Sequence, residues 1–271
     1  MRPRRALTVI AMSLLSAAML LPSPAVLGQS PAASAPTSDV THRIAFDGFT
    51  FTFTDDIAQS VNVSTLTAGE PGGPTVPAPP STTFSLYGAT QTPRAGGSRG
   101  EVQLFRVSDL QADRTLSKSL RDLQSILDER PDLDTTAEGS PQDIPLVIDI
   151  GAAQGIRVLA TYVDTGEMTG VTFVTAFVQD TYPYTAGAFT AVFEGFSTDG
   201  STAILATFPL TTTLFPNEVP IGLVERVSTN AGWQRYQRQA LATLNEAGAA
   251  AFSPSLASIS VLIASMAFEE P

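Results

Sequence analysis

The side chains that could carry out chemistry in this chain are few, and most of them are carboxylates. The 271 residues include no cysteine and one histidine, His42. Without cysteine there is no thiolate nucleophile, disulfide, zinc ribbon or iron–sulfur ligation. His42 stands beside Arg43 at the edge of a segment rich in Pro, Ala and Ser, so a serine triad or a histidine metal site would require it to fold back into a cleft. The plain expectation is a solvent-exposed residue near the start of the folded body, with no metal and no pH switch built on it.

Asp47, Glu101, Asp149 and Glu194 each lie within or beside strand-like apolar sequence. Two buried carboxyls, one protonated and one ionised, would suit glycosidase-type hydrolysis. Acids on the open face of a sheet are just as ordinary. Glu194 projects to the same side as Val192 and Phe196 in a period-two run, and with tight hairpins it lies level with Tyr162 two strands away. A buried, hydrogen-bonded Tyr162–Glu194 pair accounts for it as well as a site does. No catalytic residue is assigned.

Asp132, Asp134, Glu138 and Asp143 crowd one loop. Their oxygens would suit calcium, but the Gly and final Glu positions of an EF-hand are not matched, so a solvated acidic loop is expected. Gly96-Gly97-Ser98-Arg99-Gly100 has no following Lys-Ser/Thr and leads into a strand rather than a helix, which removes the phosphate-cradle reading and with it the expectation of a cofactor. A softer lead is Tyr182-Pro183-Tyr184, between two strands. Paired tyrosines there form either an exposed recognition surface or a loop folded down to cap the sheet edge.

Charge narrows the partners. The chain carries 15 basic against 26 acidic residues, a formal charge of -11, and beyond residue 28 its arginines are scattered singly with one lysine, Lys118. Nucleic-acid binding calls for a basic stripe, so no nucleic acid is expected and the partner is a protein or envelope component. With 43% hydrophobic and 15% charged residues, the chain lies far from the composition of disordered proteins.

Residues 1–28 carry the marks of a secretory signal peptide: Arg2, Arg4 and Arg5, an apolar run over 6–21, and a small-residue exit ending at Gly28. The run is shorter than the ~20 residues of a spanning helix and is closed by Pro22 and Pro24, so no membrane span is expected after cleavage. Val26-Leu27-Gly28-Gln29 resembles a bacterial lipobox in which Gln29 replaces the lipid-bearing cysteine, which implies a soluble secreted or periplasmic relative of exported lipoproteins. Residues 29–41 read as a disordered linker and 42–271 as a single α+β domain.

The body begins with period-two alternation. Phe49, Phe51 and Phe53 alternate with Thr50, Thr52 and Thr54, and Val61 and Val63 continue into a second strand after Asp55-Asp56, making a first hairpin. A proline-rich loop over 70–80 precedes strands at 83–87 and 101–107. Leu116, Leu120, Leu123 and Leu127 mark a one-sided helix that stops before Arg130-Pro131, and a polar loop over 132–145 follows. Runs at 156–163, 171–179, 189–196 and 202–208 form an antiparallel meander, whose second strand is apolar on both faces and is expected to be central. Trp233, Tyr236, Ala240, Leu241 and Leu244 stripe one C-terminal helix. Leu256, Ile259, Leu262, Ile263 and Met266 stripe another, which should pack on the meander, with Ser253-Pro254 as its N-cap and first-turn proline. The fold class is therefore α+β: an antiparallel sheet of about six to eight strands flanked by one central and two C-terminal helices.

This order of elements is similar to the Mog1/PsbP-like fold. Phe193-Glu194-Gly195-Phe196-Ser197-Thr198-Asp199-Gly200, followed by Phe208-Pro209, resembles an uncharacterised family of bacterial secreted proteins and lipoproteins. The resemblance implies the fold and the export route and brings no catalytic motif. The expected function is an exported, non-enzymatic binding or envelope-associated domain. The alternatives are a carrier of a small apolar ligand between sheet and helices, suggested by Phe173, Phe177, Phe189 and Phe193, and a carboxylate-dependent hydrolase using Glu194. The export reading predicts a mature chain that starts at or near Gln29 in the soluble fraction, and a Gln29→Cys variant that moves to the membrane. Fractionation with N-terminal sequencing checks both; a wild-type chain intact from Met1 in the membrane would refute the reading.

Overall fold

Residues 40–67, 79–89, 97–133, 143–148 and 150–269 are described by a computed structural model. The leader and most of the linker lie outside these residues, as do most of the proline-rich loop and Gly96, Asp134, Glu138 and Asp149.

The chain opens with β1 (Thr41–Phe46) and β2 (Phe49–Thr54), then β3 (Ser60–Leu66), β4 (Ser81–Tyr87) and β5 (Gly100–Arg106). Helices α1 (Val107–Gln111) and α2 (Arg114–Glu129) lead to the meander of β6 (Ala153–Asp164), β7 (Met168–Val178), β8 (Phe189–Ser197) and β9 (Thr202–Thr212). The C-terminal part holds α3 (Ile221–Val227), α4 (Asn230–Ala247), a 3-10 turn (Gly248–Ala251), β10 (Phe252–Ser253), α5 (Leu256–Ala264) and β11 (Ala267–Phe268). The fold is α+β, with an 8-stranded antiparallel sheet in the order β3-β4-β5-β9-β8-β7-β6, where β10 joins β9, and a 3-stranded sheet β1-β2-β11. Among the described residues no helix is long and apolar enough to cross a membrane.

Alternation along the strands sends residues to two separate cores. Val174, Phe193, Ile204, Ala206 and Phe208 face one core, shared with Phe49, Phe51 and Phe53 of β2 and the buried residues of α4 and α5. Val171, Phe173, Val192, Phe196 and Leu205 face the other, covered by Leu110 of α1 and Leu120, Leu123 and Leu127 of α2. The two-faced apolarity of β7 therefore reports cover on both sides. It does not report position: β9 is at the middle of the sheet, and β7 lies next to the edge strand β6.

The expected first hairpin is re-paired. β2 pairs with β1 and β11, whereas β3 pairs with β4. Asp47 and Gly48, at φ 50 and 76, make the tight turn that joins β1 to β2, a turn in which both residues take positive φ. The chain then leaves the small sheet through Thr54, whose carbonyl accepts from the Ile57 and Ala58 amides at 3.0 and 3.1 Å. That turn hands the chain to the other sheet before β3 begins.

Helix α2 starts where Asp113 accepts the Thr115 and Leu116 amides at 2.7 and 3.0 Å, and ends at Arg130, left-handed at φ 49, before Pro131. The cap of α5 differs from expectation. Ser255 accepts the Ala257 amide at 3.2 Å, while Ser253 is taken up by β10. Helix α5 also packs chiefly on β2 rather than on the meander. Ser265 holds it there by accepting the Thr52 amide at 2.8 Å. Its buried Ile259, Leu262 and Ile263 still join the core that the small sheet shares with the meander.

Because β10, α5 and β11 are stitched to different sheets, a chain ending at Ala251 removes a strand partner from both β9 and β2 together with the buried Ile259, Leu262, Ile263 and Met266. Such a truncation is expected to be poorly soluble and non-cooperative by circular dichroism. The milder Leu262→Ala should lower unfolding free energy by about 2–5 kcal/mol in a urea titration.

Candidate functional site

Glu194 is the most unusual ionisable group in the fold. Strand register places Tyr162 opposite Val171 and Val171 opposite Glu194, so the three lie in one row on the α2 side of the sheet. The residue is 0% exposed, and its Oε1 accepts the Val147 amide at 3.3 Å. Its Oε2 has no hydrogen-bond partner among the described residues. Burial pushes the carboxyl well above its ordinary range, with the Val147 bond opposing that rise. Burial therefore favours its protonated form.

The expected Tyr162–Glu194 bond does not form. The Tyr162 hydroxyl donates to the Pro131 carbonyl at 2.8 Å, and the Arg130 guanidinium lies 4.7 Å over its ring. Two strand spacings of about 4.8 Å each separate the backbones, and the exit of α2 offers the phenol a nearer acceptor. The two residues are level and on one side of the sheet, but each bonds a different main-chain group.

Among the described residues, the other candidate acids do not join Glu194; Asp149 lies outside them. Asp47 occupies the β1–β2 turn, and Glu101 accepts from Ser85 and Ser98 hydroxyls at 3.4 and 3.3 Å. Asp143 is raised by burial, opposed by the charge of Arg157. A two-carboxyl hydrolytic centre is thus not assembled from these residues, and among the described residues no cluster suited to a metal is found. His42, in β1, stacks on Phe53 with ring centroids 5.2 Å apart and meets Asp55 Oδ1 through Nε2 at 2.7 Å.

The tyrosine loop resolves toward capping. Tyr182 is 52% exposed, but Tyr184 is 2% exposed and Pro183 is buried. Tyr184 packs against Phe189, Phe215, Trp233 and Tyr236, donates its hydroxyl to the Gly155 carbonyl at 2.9 Å, and donates its amide to the Tyr236 hydroxyl at 2.7 Å. Gln237 donates to the same Gly155 carbonyl at 2.9 Å. Burial pushes the Tyr184 phenol up to about 12. The residue is a plug that ties α4 to β6, and an exposed tyrosine pair at 182 and 184 does not exist.

The phenylalanines proposed to hold an apolar ligand also separate. Phe173 and Phe177 belong to the α2-side core, Phe189 and Phe193 to the opposite one. One residue of offset in a strand turns a side chain through the sheet, so these four cannot line a common cavity.

A shallow groove of about 210 Å³ does occur beside α2, with Thr115, Leu116 and Ser119 on one wall and Asp143, Ile148 and Ile150 on the other. Its second wall is residues 143–148 and the start of β6. Ile144 and Val147 are buried there, and Gln154 clasps Ile144 by accepting its amide at 3.2 Å and donating to its carbonyl at 2.6 Å. Sequence reasoning missed this element. The run Ile144-Pro145-Leu146-Val147-Ile148 was its signal, an apolar stretch at the end of a polar loop.

Comparison of the chain with family models, curated proteins and solved structures finds no match.

Removing the Tyr236 hydroxyl should leave the Tyr184 amide unsatisfied, so Tyr236→Phe is expected to lose about 1–3 kcal/mol in chemical denaturation. Tyr182→Ala should stay within about 0.5 kcal/mol of wild type. Equal losses for the two variants would show that the buried plug is not what holds α4.

Proposed function

We propose that this chain is an exported, non-enzymatic binding domain that recognises a protein partner through the groove between α2 and residues 143–150. The observation that carries this reading is the groove's size and lining. At about 210 Å³ it is smaller than the ~300–1,000 Å³ typical of small-molecule sites, and it suits one or two side chains of a larger partner. Leu116, Ile148 and Ile150 offer apolar contact, Thr115 and Ser119 offer hydroxyls, and Asp143 offers an acid. With a chain charge of -11, complementarity favours a partner that presents an apolar side chain beside a basic group.

The leader pattern and the Gln29-containing lipobox-like segment support export. The order of strands and helices is the ground for the likeness to the Mog1/PsbP-like fold, and the segment Phe193 to Gly200 with Phe208-Pro209 is the ground for the likeness to the secreted family. The chemistry of the other candidate residues supports a non-catalytic role: Glu194 is fully buried, with burial favouring its protonated form, Tyr184 is a packing plug, and His42 is paired with Asp55.

Ile150 is 38% exposed on the groove wall, so Ile150→Asp should leave circular dichroism unchanged and abolish capture of the partner retained by wild-type protein from the native secretome. A partner recovered equally by both proteins binds elsewhere and refutes the groove. Recovery of none across several salt concentrations counts against the binding role itself.

A further inference from the structure

We propose that residues 143–148 are a strap whose seating on the sheet depends on Glu194 keeping its proton. Three attachments hold it: burial of Ile144 and Val147, the Gln154 clasp on Ile144, and the bond from the Val147 amide to Glu194 Oε1. The last attachment lies directly over a carboxyl with no exposure and an unpartnered Oε2.

An ionised carboxylate in that position would be poorly solvated. One 3.3 Å bond from a neutral amide does not replace a hydration shell. The described neighbours offer no better. Val171 and Phe173 of β7, Leu205 of β9, and Leu120, Leu123 and Leu127 of α2 contribute hydrocarbon. From β6, Tyr162 is turned to Pro131 and the Arg157 guanidinium donates to the Leu133 carbonyl at 2.8 Å. Arg130, over Tyr162, pairs with Asp164. On β5, Gln103 lies level with Leu205, and Glu101, two residues away, is bonded to Ser85 and Ser98. The strap's own Asp143 lies within the charge field of Arg157.

Ionisation of Glu194 therefore requires water, and the strap is the cover that can give way without unpairing the sheet. With the strap lifted, the carboxyl titrates near the ordinary value of about 4.3. With it closed, burial holds the proton on to a higher pH. Between those two limits the open form binds fewer protons than the closed form, so raising the pH favours opening and lowering it favours closure. The open fraction should rise about tenfold per pH unit across that window. Because Ile148 and Asp143 are groove walls, opening would also reshape the groove, although the coupling does not require the groove to bind anything.

Amide-resolved hydrogen exchange on the full chain between pH 5 and 9, corrected for the intrinsic pH dependence of exchange, tests this. The Val147 amide of wild-type protein should show an open fraction that climbs with pH, by about tenfold per unit at most, and levels off once the closed-form carboxyl titrates, with β8 and β9 amides unchanged. Glu194→Gln should flatten the slope, and Gln154→Leu, which loosens the strap without touching Glu194, should raise opening at every pH and keep the slope. A flat wild-type profile, strap and β8–β9 amides that open together, or a slope that survives in Glu194→Gln would each overturn the proposal. Should Glu194→Gln fail to fold, the wild-type and Gln154→Leu profiles decide alone.

Discussion

The meander β6–β9 is apolar on both faces, and most of the remaining structure follows from the need to cover it. Burying one large apolar side chain contributes roughly 1.5–3 kcal/mol, and such side chains face both ways from β7, β8 and β9. On one side the cover is α1, α2 and residues 143–148. On the other it is the small sheet with α4 and α5. The first and last strands of the described chain meet in that small sheet, where β1 and β11 flank β2, so the second cover is closed only by the C-terminal residues.

The same constraint explains features that would otherwise invite a functional reading. Gly170 and Gly195 sit opposite each other on β7 and β8, and a Cβ on either would come within 3.0 Å of Phe193 ring atoms. The glycines let that ring lie over the strand pair. Asp199 accepts from the Ser197 hydroxyl at 2.5 Å and the Ser201 amide at 3.0 Å, and Gly200 takes φ 70. Most of the Phe193 to Gly200 segment is thus accounted for by packing and turn geometry. Glu194 is the exception, since a leucine would fill its site without a desolvated acid.

Polar groups that survive inside these layers serve as fasteners. Tyr184 and Gln237 converge on the Gly155 carbonyl and tie α4 to β6. Ser265 ties α5 to β2, and Gln154 imitates a strand partner for Ile144. Each lies where an element without a continuous backbone ladder meets the sheet, so a side chain has to satisfy main-chain groups that a neighbouring strand would otherwise satisfy.

Local pattern alone determined the four meander strands, the leucine-striped α2 with its stop at Arg130-Pro131, the α4 stripe, the row shared by Tyr162 and Glu194, and the absence of thiol chemistry. Each follows from a period, a turn or a composition that a short window contains. Tertiary structure decided the rest. Whether β2 pairs with β3 or with β1 and β11 depends on partners as distant as Ala267 and Phe268. Whether Tyr184 is exposed depends on Trp233 and Tyr236 arriving from α4. Whether Glu194 meets Tyr162 or Val147 depends on a strap whose first half local pattern assigned to a polar loop and whose second half it left without an element. Periodicity names the face of an element, but the burial, partner and proton affinity of a side chain are set by what the rest of the chain lays over that face.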